Sequence, residues 1–310
     1  MSVSIIIVAY NAKQLVLNCI RSVEEKTRGI AFETIVVDNG SADGTAEAIH
    51  EAFRDVRLIC KKEDRGFGKA ANQGAEIARG RYLHFVNPDA FFINNAARFF
   101  LDYLEEQKNN SIAVLGAYIE DSKGIIVHSA GGFPYPARYL RARYKKVLRK
   151  LIPIKKLHSV KVSESAPQSA TSVEYVTGAD MFCRRDVFLA FGGFDKRFFL
   201  YFEESDLQWR MRLAGLDRLL IAGPRICHEE GHSIKFPNAK RIYLETSAQK
   251  YFSKNFGDSA GRFFRVAFVL SILLEFLVDL LRWQYTPAEN LRFLKAFLRA
   301  EKEGPAGPSL

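Results

Sequence analysis

"FETIVVDNGSADGT", residues 32–45, decides the fold. A β-branched apolar run ends on Asp38, crosses the turn residues Asn39, Gly40, Asp43 and Gly44, and opens a helical stretch over residues 45–53. That order is a strand, a polar turn and a helix, with Asp43 placed to end the turn and cap the helix. Upstream, "VSIIIVAYN" (residues 3–11) is a second buried strand. Residues 12–26 follow it with helical spacing in Leu15, Cys19, Ile20 and Val23. Downstream come a strand over residues 56–60, a glycine-broken loop, a helix over 69–78 and a strand over 82–86.

This alternation predicts an α/β fold with a mixed, mostly parallel sheet flanked by helices. Ligands of such sheets gather at the carboxyl ends of the strands. The loops of interest are therefore residues 9–11, 38–43, 64–68 and 87–89, each polar or glycine-rich. After Asp102 the pattern loosens, then resumes at "VEYVTGADMFCRRDVF". The expected organisation is a catalytic domain over residues 1–250 and a C-terminal region of apolar helices over 251–310 with a frayed end.

At 310 residues and 48% apolar, the chain can bury a sizeable core, which excludes a disordered chain. Cys19, Cys60, Cys183 and Cys227 lack CxxC spacing, so neither a zinc site nor a disulfide framework is expected, and a reducing cytosol fits. No basic n-region or cleavage site precedes Asn11, so export is not expected. The formal charge of +10 is concentrated: nine basic residues lie between Arg138 and Lys156, where no acid occurs.

Read together, "VDNGSADGT", "DRGFGKAANQG", "FVNPDA", "VTGADMFCRRDVFLAFGGFDKRFFLYFEESDLQWR" and "HEEGHS" resemble the motif series of family 2 inverting glycosyltransferases. The long fourth string is most similar to the rhamnosyltransferase-like branch, and the resemblance spans residues 3–233. It implies a GT-A fold, a nucleotide-diphosphate sugar donor (dTDP-, UDP- or GDP-linked), a divalent cation (Mg2+ or Mn2+) and inverting transfer to a hydroxyl.

The resemblance also implies roles. Asp38 would accept from the base of the donor nucleotide and Tyr10 would contact its face, with Ala9, Asn11, Arg65, Gly66 and Asn87 lining the same site. "NPD" stands where the family has DxD, so Asn87 replaces the first acid and Asp89 becomes the charged metal ligand, with His228 opposite it. Magnesium commonly takes one or two carboxylates and completes its shell with phosphates. Gly178, Ala179, Asp206, His232 and Ser233 fall to the acceptor or diphosphate, although Asp206 is equally placed to pair with Arg210 one helical turn on.

"FFLYFEESDLQWRMRLAG" (residues 198–215) sets Glu203 and Glu204 after a run of rings. Direct displacement needs a base within reach of the acceptor hydroxyl. Glu204 is the expected base and Glu203 the alternative. Placed at a helix start, the carboxylate is expected to be kept ionised by the helix dipole. Phe198 and Phe202 are read as core.

"RYLRARYKKVLRKLIPIKKLH" (residues 138–158) interleaves cations with apolar residues, as a helix on anionic lipid does. It has no stacking platform for nucleic acid. "RVAFVLSILLEFLVDLLRW" (residues 265–283) is interrupted by Glu275 and Asp279, which points to monotopic insertion or to a homo-oligomer seam rather than a span. The expected setting is a cytoplasmic protein, peripheral on the inner face of the cell membrane, that extends a glycan or polyprenyl-diphosphate-linked glycan of the cell envelope. The rival readings are a catalytically silent membrane adaptor of the same fold and a sugar-phosphate nucleotidyltransferase. "AYNAKQ" lacks the arginine-containing phosphate loop of the latter, and "GFGKAANQG" lacks dinucleotide-binding spacing.

Overall fold

The computed structural model describes residues 1–107, 111–150, 169–228, 237–281, 295–297 and 299. It divides into two compact units, each assembled from non-consecutive segments. The first holds the described residues of Met1–Phe133, Val162–Lys196 and Glu203–Lys235; the second holds those of Pro134–Lys161, Arg197–Phe202 and Phe236–Leu310.

The first unit begins with β1 (Val3–Ala9), α1 (Lys13–Lys26), β2 (Phe32–Asp38), α2 (Thr45–Ala52), β3 (Arg57–Cys60), α3 (Phe67–Ile77) and β4 (Tyr82–Val86). Strands β3, β2, β1 and β4 lie side by side and parallel, as the alternation predicts. All seven residues of β1 are buried, because helices cover both faces of the sheet. Each of its isoleucines contributes about 1.5–3 kcal/mol by leaving water.

β5 (Ala90–Phe92), α4 (Ala96–Glu106), β6 (Ile112–Glu120), β7 (Ala130–Gly131), α5 (Pro136–Leu148, which belongs to the second unit), β8 (Thr171–Ser172), β9 (Tyr175–Val176), β10 (Asp180–Arg184), α6 (Arg185–Ala190), α7 (Glu203–Leu213) and β11 (Asp217–His228) follow along the chain. The sheet continues past β4 as β10, β6, β11 and β5, with β8 against β11. β10 runs antiparallel to both β4 and β6, whereas β11 is parallel to β6 and antiparallel to β5. The sheet is thus mixed and mostly parallel.

The reversal at β10 is fastened from within. His84 Nε2 and Asp180 Oδ1 lie 2.6 Å apart with neither side chain exposed, and Ala117 N donates to Asp180 Oδ2 at 2.7 Å. The rings of Phe92, Phe100 and Phe182 enclose the imidazole. One carboxylate therefore ties β4, β10 and β6 together.

The second unit contains α5, the stretch Arg197–Phe202, α8 (Pro237–Phe256) and α9 (Asp258–Leu281). Position 250 of the expected boundary falls inside α8. Phe198 and Phe202 are core here, packed with Tyr251, Phe252, Phe264 and Phe268. Glu275 is the hub of an ion cluster: Arg143 at 2.6 Å, Arg241 at 2.7 Å and Lys150 at 2.9 Å, with Lys150 also 3.0 Å from Asp279. Burial alone would push its carboxyl up, but the Lys150 hydrogen bond and the two guanidiniums outweigh that and hold it at about 2. The stability it contributes is full above the ordinary glutamate value and is lost as pH falls toward 2. Glu275→Ala takes the shared carboxylate from Arg143 and Arg241 and leaves Lys150 to Asp279, so a loss of about 3 kcal/mol is expected in urea unfolding at pH 7.

Candidate active site

The ends of β1 and β2 form the first wall. Ala9 O accepts from Asn39 N at 2.8 Å, and Asn11, in the left-handed region at φ 47°, is held by Ser41 Oγ and by the amide of Ala42. Asp38 is buried; its Oδ2 accepts from Ser41 N at 3.2 Å, and its Oδ1 has no hydrogen-bond partner. An unsatisfied buried acceptor costs about 1–3 kcal/mol, so an N–H brought by a ligand is favoured there. Burial and the charge of Asp64 push the Tyr10 hydroxyl up.

Asp64 accepts from Asn39 Nδ2 at 2.6 Å and from Gly66 N at 2.8 Å, fixing the glycine loop, and burial still raises its carboxyl. Arg65 turns outward to Glu63 at 3.0 Å, where both side chains are exposed. Asp43 stands one residue before the cap: Gly44 occupies the cap position in the left-handed region, and Asp43 accepts instead from the amides of Lys13 and Thr45.

The second wall is built by strand pairing. His228 is opposite Ala90 in the β11–β5 register, which brings its Nε2 to 3.1 Å from Asp89 Oδ1 although 139 residues separate them. Asp89 is 2% exposed. Its charge and burial together push the Cys19 thiol up. Neighbouring ligands of an octahedral ion with bonds of about 2.1 Å lie roughly 3 Å apart, so this carboxylate and imidazole fit one magnesium or manganese ion. No cluster of three metal-ligating side chains occurs among the described residues.

The third wall is the start of α7. Tyr201 and Phe202 both adopt left-handed backbone angles, φ 68° and 71°, immediately before Glu203. Such angles cost on the order of 1 kcal/mol for a bulky residue and concentrate at functional sites. Glu203 is buried against Gly68, where an added Cβ would lie 3.5 Å from the Glu203 Cβ, and its Oε2 has no hydrogen-bond partner. Glu204 is half-buried and lies over Gly178, whose added Cβ would meet its Cγ at 3.6 Å. Ala179, the next residue, accepts from Asn87 N at 3.1 Å. Gly178 and Ala179 therefore link the base candidate to the Asn87–Asp89 loop.

The helix start does not lower these carboxyls. Burial, and for Glu203 also the neighbouring Glu204 charge, raises the first carboxyl well above its ordinary value; burial raises Glu204 despite hydrogen bonds from its own and the Ser205 amide. Because the folded protein binds this extra proton, stability falls as pH rises from the unfolded value through the raised one. Glu203→Gln is accordingly expected to stabilise the fold by about 1 kcal/mol or more at pH 8, and not below pH 4, in paired thermal melts.

Asp206 stands apart from the pair. It is fully buried, 2.9 Å from Arg210, whose guanidinium also donates to Gly193 O at 2.8 Å. His232 and Ser233 lie outside the described residues. Sequence reasoning missed Gln208, one turn beyond Glu204. Its amide bonds both Val176 N and Val176 O at 2.8 Å and so anchors the strand that leads into Gly178. The signal was an uncharged amide at i+4 from the base candidate. A separate concavity of about 540 Å³, lined by Arg79, Arg81, Arg184 and Arg185, holds none of the candidate residues. Glu105 and Asp186 already pair with two of its arginines.

The ends of β1 and β2 thus carry a buried acid, the β5–β11 pairing an Asp–His pair, and the start of α7 a carboxylate pair. The chain belongs to glycosyl transferase family 2, whose pattern it matches over residues 4–158. It is 28% identical over 210 residues to the N-acetylglucosaminyl-diphospho-decaprenol L-rhamnosyltransferase of Mycobacterium tuberculosis, covering 64% of this chain and 67% of that protein. It is 32% identical over 108 residues to the UDP-Glc:alpha-D-GlcNAc-diphosphoundecaprenol beta-1,3-glucosyltransferase WfaP of Escherichia coli, 34% of this chain and 42% of that one. Among solved structures it resembles the Pyrobaculum calidifontis mannosyltransferase PcManGT, in complex with GDP-Man and Mn2+. That likeness has TM-score 0.54 and 16% identity, covers 99% of this chain and 76% of the other, and shows the GT-A fold.

Proposed function

We propose that this chain transfers a sugar, rhamnose being the first candidate, from a nucleotide-diphosphate donor to a hydroxyl of a lipid-linked glycan, with inversion. The observation that carries the reading is the Asp89–His228 pair at 3.1 Å, joined through Asn87, Ala179 and Gly178 to Glu204. Asp38 Oδ1, Tyr10 and the loop fixed by Asp64 receive the base and ribose. Asp89 and His228 hold the divalent cation, which when bound supplies Lewis-acid stabilisation of the leaving diphosphate. Glu204 accepts the proton of the acceptor hydroxyl, and its burial strengthens it as a base.

The polyprenyl-diphosphate acceptor is supported by the names of the two relatives, and a place on the cytoplasmic face of the membrane by the basic α5. No helix among the described residues is long and apolar enough to cross a membrane. The purified protein should release nucleoside diphosphate from one of dTDP-rhamnose, UDP-glucose or GDP-mannose only with Mg2+ or Mn2+ present. Equal release in excess EDTA, or none from any donor with a polyprenyl-diphosphate-sugar acceptor present, would sink the reading.

A further inference from the structure

Four arginines meet at the end of the sheet opposite the candidate active site. Arg79 and Arg81 flank Gly80 in the turn from α3 into β4, and Arg184 and Arg185 stand where β10 passes into α6. The antiparallel register sets Arg184 against Tyr82, and Arg185 N donates to Arg81 O at 3.0 Å, so two arginine pairs far apart in sequence become neighbours. All four line the concavity of about 540 Å³, the size of a small-molecule site, with Leu104 and Tyr82 adding apolar wall. β4 and β10 carry Asn87 and Ala179 at their other ends. The five residues of β4 extend roughly 16 Å between the two places.

The turn that carries the first pair is fixed by its backbone. Arg79 N donates to Glu33 Oε1 at 2.6 Å, Gly80 N donates to Ser4 Oγ at 2.8 Å, and that hydroxyl donates to Glu33 Oε1 at 2.6 Å. The second oxygen of Glu33 meets Arg57 at 2.6 Å, so the charge of this carboxylate is already matched.

Charge decides what the concavity takes. Arg81 pairs with Glu105 and Arg184 with Asp186. Among the described residues, no carboxylate lies within ion-pair distance of the Arg79 or the Arg185 side chain. Arg185 is half-buried, and its Nε is closed to water and has no hydrogen-bond partner. A cation partly stripped of water gains more from a touching anion than a hydrated one does. The planar fork of arginine matches phosphoryl oxygens two at a time. Two uncompensated guanidiniums also match the charge of a terminal phosphoryl group, about −1.5 to −2 at neutral pH, and exceed that of a carboxylate or a phosphodiester.

We propose that this concavity binds the terminal phosphoryl group of a phosphate monoester or diphosphate, gripped by Arg79 and Arg185 at a site separate from the Asp89–His228 pair. Its occupation requires neither that pair nor Glu204. The test is calorimetric titration of the full chain with inorganic pyrophosphate in excess EDTA, which closes any metal-dependent route to Asp89 and His228. Wild type should bind one equivalent, and Arg79→Ala and Arg185→Ala should each weaken binding about tenfold or more. Arg185→Lys keeps the charge without the fork and should recover only part of the loss. Glu105→Gln frees Arg81 and should tighten binding severalfold. Arg79 is exposed, so circular dichroism of Arg79→Ala should match wild type.

Co-sedimentation with phosphatidylcholine vesicles, plain or containing phosphatidic acid, separates two sources of the same group. Capture on phosphatidic acid that pyrophosphate displaces and Arg79→Ala weakens assigns a lipid headgroup; pyrophosphate binding without such capture assigns a soluble phosphate. Binding of neither probe would overturn the site. So would a pyrophosphate affinity that both Arg79→Ala and Arg185→Ala retain, or one that Asp89→Ala abolishes, since the anion would then sit in the candidate active site.

Discussion

Glu204→Gln is expected to lower kcat by about 10³-fold while changing donor affinity less than about twofold, because a positioned base supplies roughly 10²–10⁴ of a rate. Glu203→Gln is expected to keep most of the activity. The two carboxyls differ in surroundings: Glu203 is closed in against Gly68, whereas Glu204 keeps partial exposure over Gly178. Only the latter keeps surface that an incoming alcohol can reach. Burial raises the Glu204 carboxyl, which strengthens it as a base and moves the acid limb of the rate profile upward from the ordinary glutamate value. Activity must therefore rise with pH through that limb, and Glu203→Gln should leave the limb nearly in place, because the more strongly raised Glu203 carboxyl is still protonated and uncharged there. Full turnover in Glu204→Gln with a dead Glu203→Gln would exchange the two assignments.

Asp89→Ala is expected to remove metal-dependent turnover by roughly 10³-fold, since Lewis-acid stabilisation is worth several kcal/mol and each 1.4 kcal/mol is a factor of ten. His228→Ala should follow with a smaller loss, because one carboxylate and the diphosphate still hold the cation. Calorimetric titration of Mn2+ with nucleoside diphosphate gives a readout independent of turnover. Both variants should weaken metal uptake while Asp38→Ala weakens nucleotide uptake. Unchanged Mn2+ binding in both Asp89→Ala and His228→Ala would place the metal elsewhere.

The parallel half of the sheet was legible because Val3–Ala9, Phe32–Asp38 and Tyr82–Val86 are apolar runs closed by polar turns, a purely local pattern. The antiparallel β10 was not. Its five residues begin with a charge, Asp180, whose partner His84 lies 96 residues away. Motif strings found Asp89 and His228, but their contact depends on the β5–β11 register, which no single window of sequence encodes. The upward shift of the Glu203 and Glu204 carboxyls was not legible for a related reason: helix position is local, while the burial that raises them comes from segments far along the chain. In α9 the acids looked like interruptions of an apolar run, yet distant cations absorb them.

The place of β10 between β4 and β6 bears on how this polypeptide can be cut. The stretch that matches the family pattern, 4–158, contains β4 and β6 but not the strand that joins them. Expressed by itself, such a fragment would display two bare edges in its middle and an orphaned imidazole at His84, an invitation to aggregate. Synthesis on the ribosome meets the same gap, since the sheet cannot close until Arg184 has emerged.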